Sequence, residues 1–164
     1  MSNFQCKSHL PWTFRFISWR KKGATNLDLG GGQYNTATNY LARHGVTNLV
    51  YDPLRSSMHN EHVLKYVAAN PVDTVTVNNV LNVVQEKEER LTIIELAAKV
   101  LKPEGTAYFL IYEGNKSGVG CATPFCWQNN AATDAYLSEI GIHFKSVNKS
   151  RNMIVAKVPN VSLN

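Results

Sequence analysis

From Asn26 onward, short apolar runs alternate with stretches of helical spacing, which predicts a parallel sheet covered by helices on both faces. Asn26-Leu27-Asp28-Leu29 reads as a first strand that ends at three consecutive glycines. A helix follows over 34–44, with Ala37, Tyr40 and Leu41 at helical spacing and Gly45 as its stop. Residues 48–51 make a second strand, closed by Asp52-Pro53. A second helix over about 58–69 carries Val63, Leu64 and Val67 on one face and ends at Asn70-Pro71.

The β-branched run 72–77 predicts a third, buried strand that leads into Asn78-Asn79-Val80-Leu81-Asn82. A helix over about 86–101 turns Leu91, Ile94, Ala97, Ala98 and Leu101 inward and has acids in its first turn, where the helix dipole favours them. Lys102-Pro103-Glu104-Gly105 reads as a turn, and 106–112 as an apolar, central strand. Residues 113–130 follow neither period, and a connection of that length in a compact domain usually carries function. A helix over 131–140 and an antiparallel edge hairpin of 144–147 with 153–157 complete the chain, with the last six residues frayed.

Length and composition narrow this to one globular domain: 164 residues, 44% hydrophobic and 18% charged. No apolar run reaches the roughly 18–20 residues of a membrane span, and the N-terminus lacks signal-peptide order, so a cytoplasmic protein is expected. Three cysteines, Cys6, Cys121 and Cys126, cannot all pair. The C-x4-C spacing has no second pair to complete a tetrahedral zinc site, so reduced thiols and no metal are expected.

The net charge of +5 lies wholly in residues 1–22, where Lys7, Arg15, Arg20, Lys21 and Lys22 meet no acid. The chain therefore divides into a basic aromatic segment, 1–22, and a single domain over 23–160. Basic side chains interleaved with Trp12, Phe14, Phe16 and Trp19 suit a nucleic-acid partner, phosphates against cations and bases on rings. The same composition suits aromatics tucked onto the domain with the basic heads left in water.

Asp28-Leu29-Gly30-Gly31-Gly32-Gln33 carries the strongest chemical signal. Glycines let the backbone turn sharply and approach a ligand, and the following helix offers unpaired N–H groups, which together suit a nucleotide-like ligand. A dinucleotide fingerprint would need glycine at position 35, where the chain has Asn35. Asp52 stands 24 residues after Asp28, at the second strand's end, and a carboxylate there can accept from both hydroxyls of a ribose.

Asp28, Gly30 and Gly32 resemble motif I of class I S-adenosylmethionine-dependent methyltransferases, with a departure at Tyr34, where that family often has a third glycine. The run 73–83 is similar to the family's fourth strand and following turn, and Leu101-Lys102-Pro103-Glu104-Gly105-Thr106 to its L-K-P-G-G turn, with Glu104 in place of one glycine. The resemblance implies a Rossmann-like α/β sheet, S-adenosylmethionine as cofactor and methyl transfer to an oxygen, nitrogen or carbon nucleophile. It places the glycine loop, Gly30 to Gly32, under the methionine part, Asp28 by its amino group and Asp52 by the ribose. Only 20 residues separate Asp52 from Asp73, so the family's third strand and helix are missing or reduced to one helix. Asn78 and Asn79 are then candidates for the adenine, since an amide both donates and accepts; equally, they can cap the following turn.

Over most of its length the chain also resembles small methyltransferase-like proteins of bacteria and phages that share N-N-V-L-N-V, Y-E-G and W-Q-N-N segments. Acceptor contacts are expected from the long loop, at Trp127, Asn129 and Asn130, with Glu113 as base and Tyr112 or His143 assisting. His59 and His62 do not have H-E-x-x-H spacing, and no G-x-S-x-G elbow occurs. The D/N-P-P-Y/F segment of DNA amino-methyltransferases is replaced by Asn78-Asn79-Val80-Leu81. Two other classes remain: a cofactor-binding regulator or sequestering protein without turnover, and a nucleic-acid-binding module. The methyl acceptor and the oligomeric state are not written in the sequence.

Overall fold

A computed structural model describes residues 9–159. Cys6, Lys7 and residues 160–164 of the tail expected to fray lie outside the described residues. The core is a six-stranded sheet in the order β2-β1-β3-β4-β8-β7. Its strands are β1 (Thr25–Leu29), β2 (Thr47–Tyr51), β3 (Val72–Asn78), β4 (Leu101–Leu110), β7 (Phe144–Ser150) and β8 (Met153–Pro159). Neighbours β2, β1, β3 and β4 are parallel, and β8 runs antiparallel to both β4 and β7. The chain steps from β1 outward to β2 and then back past β1 to β3, so the order reverses between β1 and β3. A single helix, α3 (Ser57–Ala69), makes that return. This is the reduced connection the spacing from Asp52 to Asp73 predicts.

Side chains alternate across the strands and sort the packing into two layers. Leu27, Leu29, Val75, Val77 and Phe109 face the larger core, which also holds Val63 and Val67 of α3 and Ile94, Ala97 and Ala98 of α4 (Lys87–Lys99). The opposite face carries a smaller cluster of Phe14, Ala24, Ala37, Leu41 and Val46 beneath α2 (Thr36–Arg43). Phe14, on the short helix α1 (Trp12–Phe16), is 0% exposed, and Trp19 stacks on it and donates Nε1–H to its carbonyl at 2.7 Å. Phe14 and Trp19 thus anchor the basic segment to the domain. Arg15, Arg20 and Lys22 stay exposed, while Lys21 pairs with Asp73 at 2.5 Å. No described helix is long and apolar enough to cross a membrane.

Three boundaries differ from expectation for physical reasons. Leu101 is not on α4: it pairs with Val72 in the sheet, and residues 102–105 bulge out before the register resumes at Thr74 and Thr106. The expected turn is therefore a bulge inside β4, folded so tightly that a Cβ on Gly105 would sit 2.2 Å from Leu101 Cδ2. The helix expected over 131–140 is a 3-10 turn, Thr133–Tyr136, followed by α5 (Leu137–His143). The long loop holds its own two-stranded hairpin, β5 (Cys121–Ala122) with β6 (Trp127–Gln128).

Candidate functional site

The carboxyl ends of β1, β2, β3 and β4 lie together on one edge of the sheet, at the point where strand order reverses and open α/β sheets take ligands. Gly30 and Gly32 of the loop after β1 have φ of 76° and 72°, a region costly for residues with a Cβ. Their surroundings differ. A Cβ on Gly30 would meet Val80 Cγ2 at 2.3 Å and one on Gly31 would meet Asp28 Oδ2 at 2.5 Å, whereas nothing lies within 4 Å of one on Gly32. The first two glycines pack the loop against the protein, and the third faces open space.

Two groups from the segment after β2 hold that loop. Asp52, buried, accepts from Gly32 N–H through Oδ2 and from Leu54 N–H through Oδ1, both at 2.7 Å. Arg55 donates Nε–H to the Gly32 carbonyl at 2.8 Å and Nη2–H to Tyr34 O and Asn35 Oδ1. Asn60 fixes the Asp52 backbone, donating to its carbonyl and accepting from its N–H. These clamps occupy the residues before α2, so the helix starts at Thr36 rather than Tyr34.

Asp28 sits beneath the loop, fully buried, and accepts from Thr76 Oγ1 at 2.8 Å and Asn78 Nδ2 at 3.3 Å. Loss of hydration pushes its carboxyl up to about 7, against the pull of those two hydrogen bonds. Asn78 Oδ1 is buried with no hydrogen-bond partner among the described residues. Neither Asn78 nor Asn79 caps the following turn: Asn78 turns to Asp28, while Asn79, at φ 56°, donates its backbone N–H to Leu110 O and its exposed side chain makes no hydrogen bond among the described residues.

On the same edge, past the ends of β3 and β4, the hairpin β5–β6 helps to border a basin of about 560 Å³, lined by Asn79, Tyr112, Asn130 and Gln128. Its wall is braced from behind. Asn82, buried, donates to Gln128 Oε1 and accepts from Tyr112 N–H, and Gln128 donates to the Tyr112 carbonyl. Asn129 donates to the carbonyls of Leu81 and Val84 and accepts from Trp127 Nε1–H at 2.8 Å.

The structure therefore gathers Asp28, Gly30, Gly31, Gly32, Asp52, Asn78, Asn79, Tyr112 and Asn130 at one edge, and gives other residues different tasks. Glu113 accepts from both Thr133 N–H and Oγ1–H at 2.8 Å and pairs with Lys116 at 2.6 Å. The Lys116 ammonium and the two Thr133 donors hold its carboxyl at about 2, too low for a general base near neutrality. Glu113 is a latch for the long loop. Asn129 is likewise a brace, and Trp127 packs over Gly120, whose Cβ would lie 2.3 Å from the ring. His143 ends α5 next to Phe144, which pairs with Pro159 at the opposite end of the sheet. Arg55, Asn60 and the pairing of Asn82 with Gln128 brace this edge, and the sequence reading does not single them out.

No family model matches the sequence, and no curated protein matches it. Among solved structures the fold is similar to the apo form of the S-adenosylmethionine-dependent methyltransferase SibL, with TM-score 0.60 and 14% identity over 84% of this chain and 51% of that one. It is similar too to the sugar N-methyltransferase KedS8 from a Streptoalloteichus species, with TM-score 0.53 and 12% identity over 89% of this chain and 85% of that one. A TehB-like methyltransferase from Corynebacterium glutamicum matches with TM-score 0.50 and 16% identity over 83% and 79%. The chain spans about half the length of SibL, 51%. With its glycine loop, its reversal of strand order and its one antiparallel strand, this chain has the class I methyltransferase-like fold, in a form reduced by one strand.

Proposed function

We propose that this chain binds S-adenosylmethionine over the glycine loop and passes its methyl group to an acceptor held in the neighbouring basin. The observation that carries the reading is the open Gly32 held by the Asp52 carboxylate at the sheet's switch point, with a basin further along the same edge, past the ends of β3 and β4. The residues present fit the group. Gly32 leaves room for a ligand to approach the backbone, and a carboxylate's two oxygens together have about four lone-pair sites, so Asp52 can accept two hydroxyls besides its two amides. Asn78 Oδ1 is an orphaned acceptor at the same edge, suited to an amino donor of the cofactor. Asp28, beneath the loop, gains a reason to ionise when a cation settles above it.

When bound, the cofactor would supply a methyl carried on a sulfonium. The chain's own work is to align and to exclude water. The glycine loop and Asp52 fix the donor side, while the braced wall behind Gln128 fixes the acceptor side. With Glu113 committed to its latch, an acceptor that offers a lone pair without prior deprotonation suits the basin best. That same commitment favours a second reading, a protein that binds the cofactor without turning it over.

Calorimetric titration with S-adenosylmethionine and S-adenosylhomocysteine tests binding, and methyl-tritiated cofactor with a cell extract tests transfer. Binding with transfer is the expected outcome. Binding without transfer selects the second reading, and absence of binding to either compound removes both.

A further inference from the structure

The chemistry of the basin wall narrows what it can hold. No residue bordering the basin carries a charge, which sets it apart from a site for a carboxylate or phosphate. Five carboxamides border it instead, Asn79, Asn82, Asn115, Gln128 and Asn130, of which Asn82 and Gln128 are taken up with each other and with the Tyr112 backbone. Hairpin pairing places Cys121, Thr123, Cys126 and Gln128 on a single face, since Cys121 is opposite Gln128 and Thr123 bonds back to Cys126. That face is the one lining the basin. Two aromatic rings, Tyr112 at 60% exposure and Phe125 at 61%, complete the border.

Carboxamides present a donor and an acceptor side by side, so they match ligands whose edge also alternates donor and acceptor. Exposed rings favour a flat partner, because base–aromatic stacking needs only a π-face. Asn79 is the wall's free hand: its side chain makes no hydrogen bond among the described residues, and the chain holds it at φ 56°, a conformation that Asn tolerates and that places a non-glycine residue at the basin's edge. The basin's volume falls within the roughly 300–1,000 Å³ of small-molecule sites, room enough for one heterocycle and a sugar.

We infer that the acceptor basin takes an uncharged, planar, nucleobase-like ring, read on its amide edge by Asn79 and stacked on Tyr112. This rests on the proposed methyl-transfer reading for the role of the ring, though not for its binding. An in-plane ring nitrogen also supplies the lone pair that a basin without a carboxylate requires, and its methylation leaves a cationic ring with no proton to lose.

The test is calorimetric titration of adenosine, cytidine, guanosine and uridine into the protein saturated with S-adenosylhomocysteine, which blocks entry of a nucleoside into the cofactor's own place. A short single-stranded oligonucleotide and glucose are titrated in parallel. At least one nucleoside is expected to bind, and Asn79→Gly and Tyr112→Ala each to weaken it roughly tenfold or more, the loss expected for a bidentate amide pair or a stacked base. Asn79→Gly suits the left-handed backbone and Tyr112 is an exposed ring, so both variants should keep the native melting temperature, which separates loss of the ring's binding from loss of the fold. Oligonucleotide binding that shares the Asn79 and Tyr112 dependence identifies a base within a strand as the source. Oligonucleotide binding that salt abolishes and neither variant alters overturns the proposal, as do binding of glucose alone and no nucleoside binding beside intact cofactor binding. If S-adenosylhomocysteine itself fails to bind, the methyl-transfer reading falls, and nucleosides titrated into the free protein still decide the basin by their dependence on Asn79 and Tyr112.

Discussion

Arg55 donates its Nε–H to the carbonyl of Gly32 at 2.8 Å, tying the turn after β2 to the crest of the glycine loop. The same guanidinium reaches Tyr34 O and Asn35 Oδ1, so one side chain spans the loop from its last glycine to the start of α2. Removing it frees the loop without touching the space above Gly32. Arg55→Ala is expected to weaken S-adenosylhomocysteine binding by about 1.5 kcal/mol, roughly tenfold. Arg55→Lys should recover little, since an ammonium lacks the planar fork. Calorimetry on both variants checks this; wild-type affinity would show that the loop holds its shape through Asp52 alone.

The two strained glycines separate packing from binding. Gly30→Ala places a Cβ against Val80 in a left-handed backbone, so it should lower the melting temperature and binding together. Gly32→Ala bears only the conformational cost, about 1–2 kcal/mol. It should fold and yet lose at least about tenfold in cofactor affinity, because its methyl enters the ligand's space. Thermal denaturation alongside titration distinguishes the two. A Gly32→Ala protein that binds normally would reduce the loop to a turn.

Asp28 makes stability fall with rising pH. Its folded-state pKa is raised from 3.8 to about 7, so the folded chain holds a proton that the unfolded chain has released across that window. The contribution is fully present below 3.8 and is lost as pH climbs through about 7. Asp28→Asn should flatten this slope in urea titrations and keep the Thr76 and Asn78 donors satisfied through the amide oxygen. Affinity for the cationic cofactor should rise between about pH 6 and pH 8 in the native protein and lose that rise in the variant. A native pH profile without either slope would place Asp28 outside the site's electrostatics.

Glu113 acts in the opposite sense. Its pKa is lowered from 4.5 to about 2, so its stabilising contribution is present above 4.5 and is lost as pH falls towards 2. Glu113→Ala should speed amide hydrogen exchange through residues 114–130 at neutral pH while β4 stays protected, and should remove the acid-side slope. Equal exchange in the two proteins would mean that the hairpin β5–β6 holds the loop by itself.

Much of this was legible in the sequence because it is local. Alternation in 26–29 and 72–77 marks strands, and a glycine run after an apolar strand marks a ligand loop. Leu101 misled because helical periodicity runs on through it, while the sheet pairs it with Val72, 29 positions away. Arg55 was invisible for a related reason: Asp52-Pro53-Leu54-Arg55 reads as an ordinary turn, and its partners lie 20 to 23 residues earlier. Glu113 stood in the right loop, and its role was decided by Thr133, 20 residues later. Spacing finds where a carboxylate stands, and the fold decides which protons it meets.

Beneath α2, the strands β1, β2 and β3 carry a row of buried polar side chains that a core of pure hydrocarbon would not need. Asn26 accepts from Thr74 and donates to Asn48 and Thr76, and Thr76 donates in turn to Asp28. Opposite partners in the ladder, Asn26 with Thr74 and Asp28 with Thr76, bond directly, and Asn26 and Asp28 each reach one residue further along β3, to Thr76 and Asn78. Sliding β3 by one residue would turn this set into the apolar core, and sliding it by two so that Val72 faces Asn26 would strand that amide, at about 1–3 kcal/mol for the orphaned group. Valines and leucines would tolerate several alignments of these short strands, whereas the amide and hydroxyl row rejects those that set a valine opposite Asn26 or Asp28. The row thus works as a vernier for the sheet, fixing the alignment of β1 with β3 on which the meeting of Gly32, Asn78 and Asn79 depends.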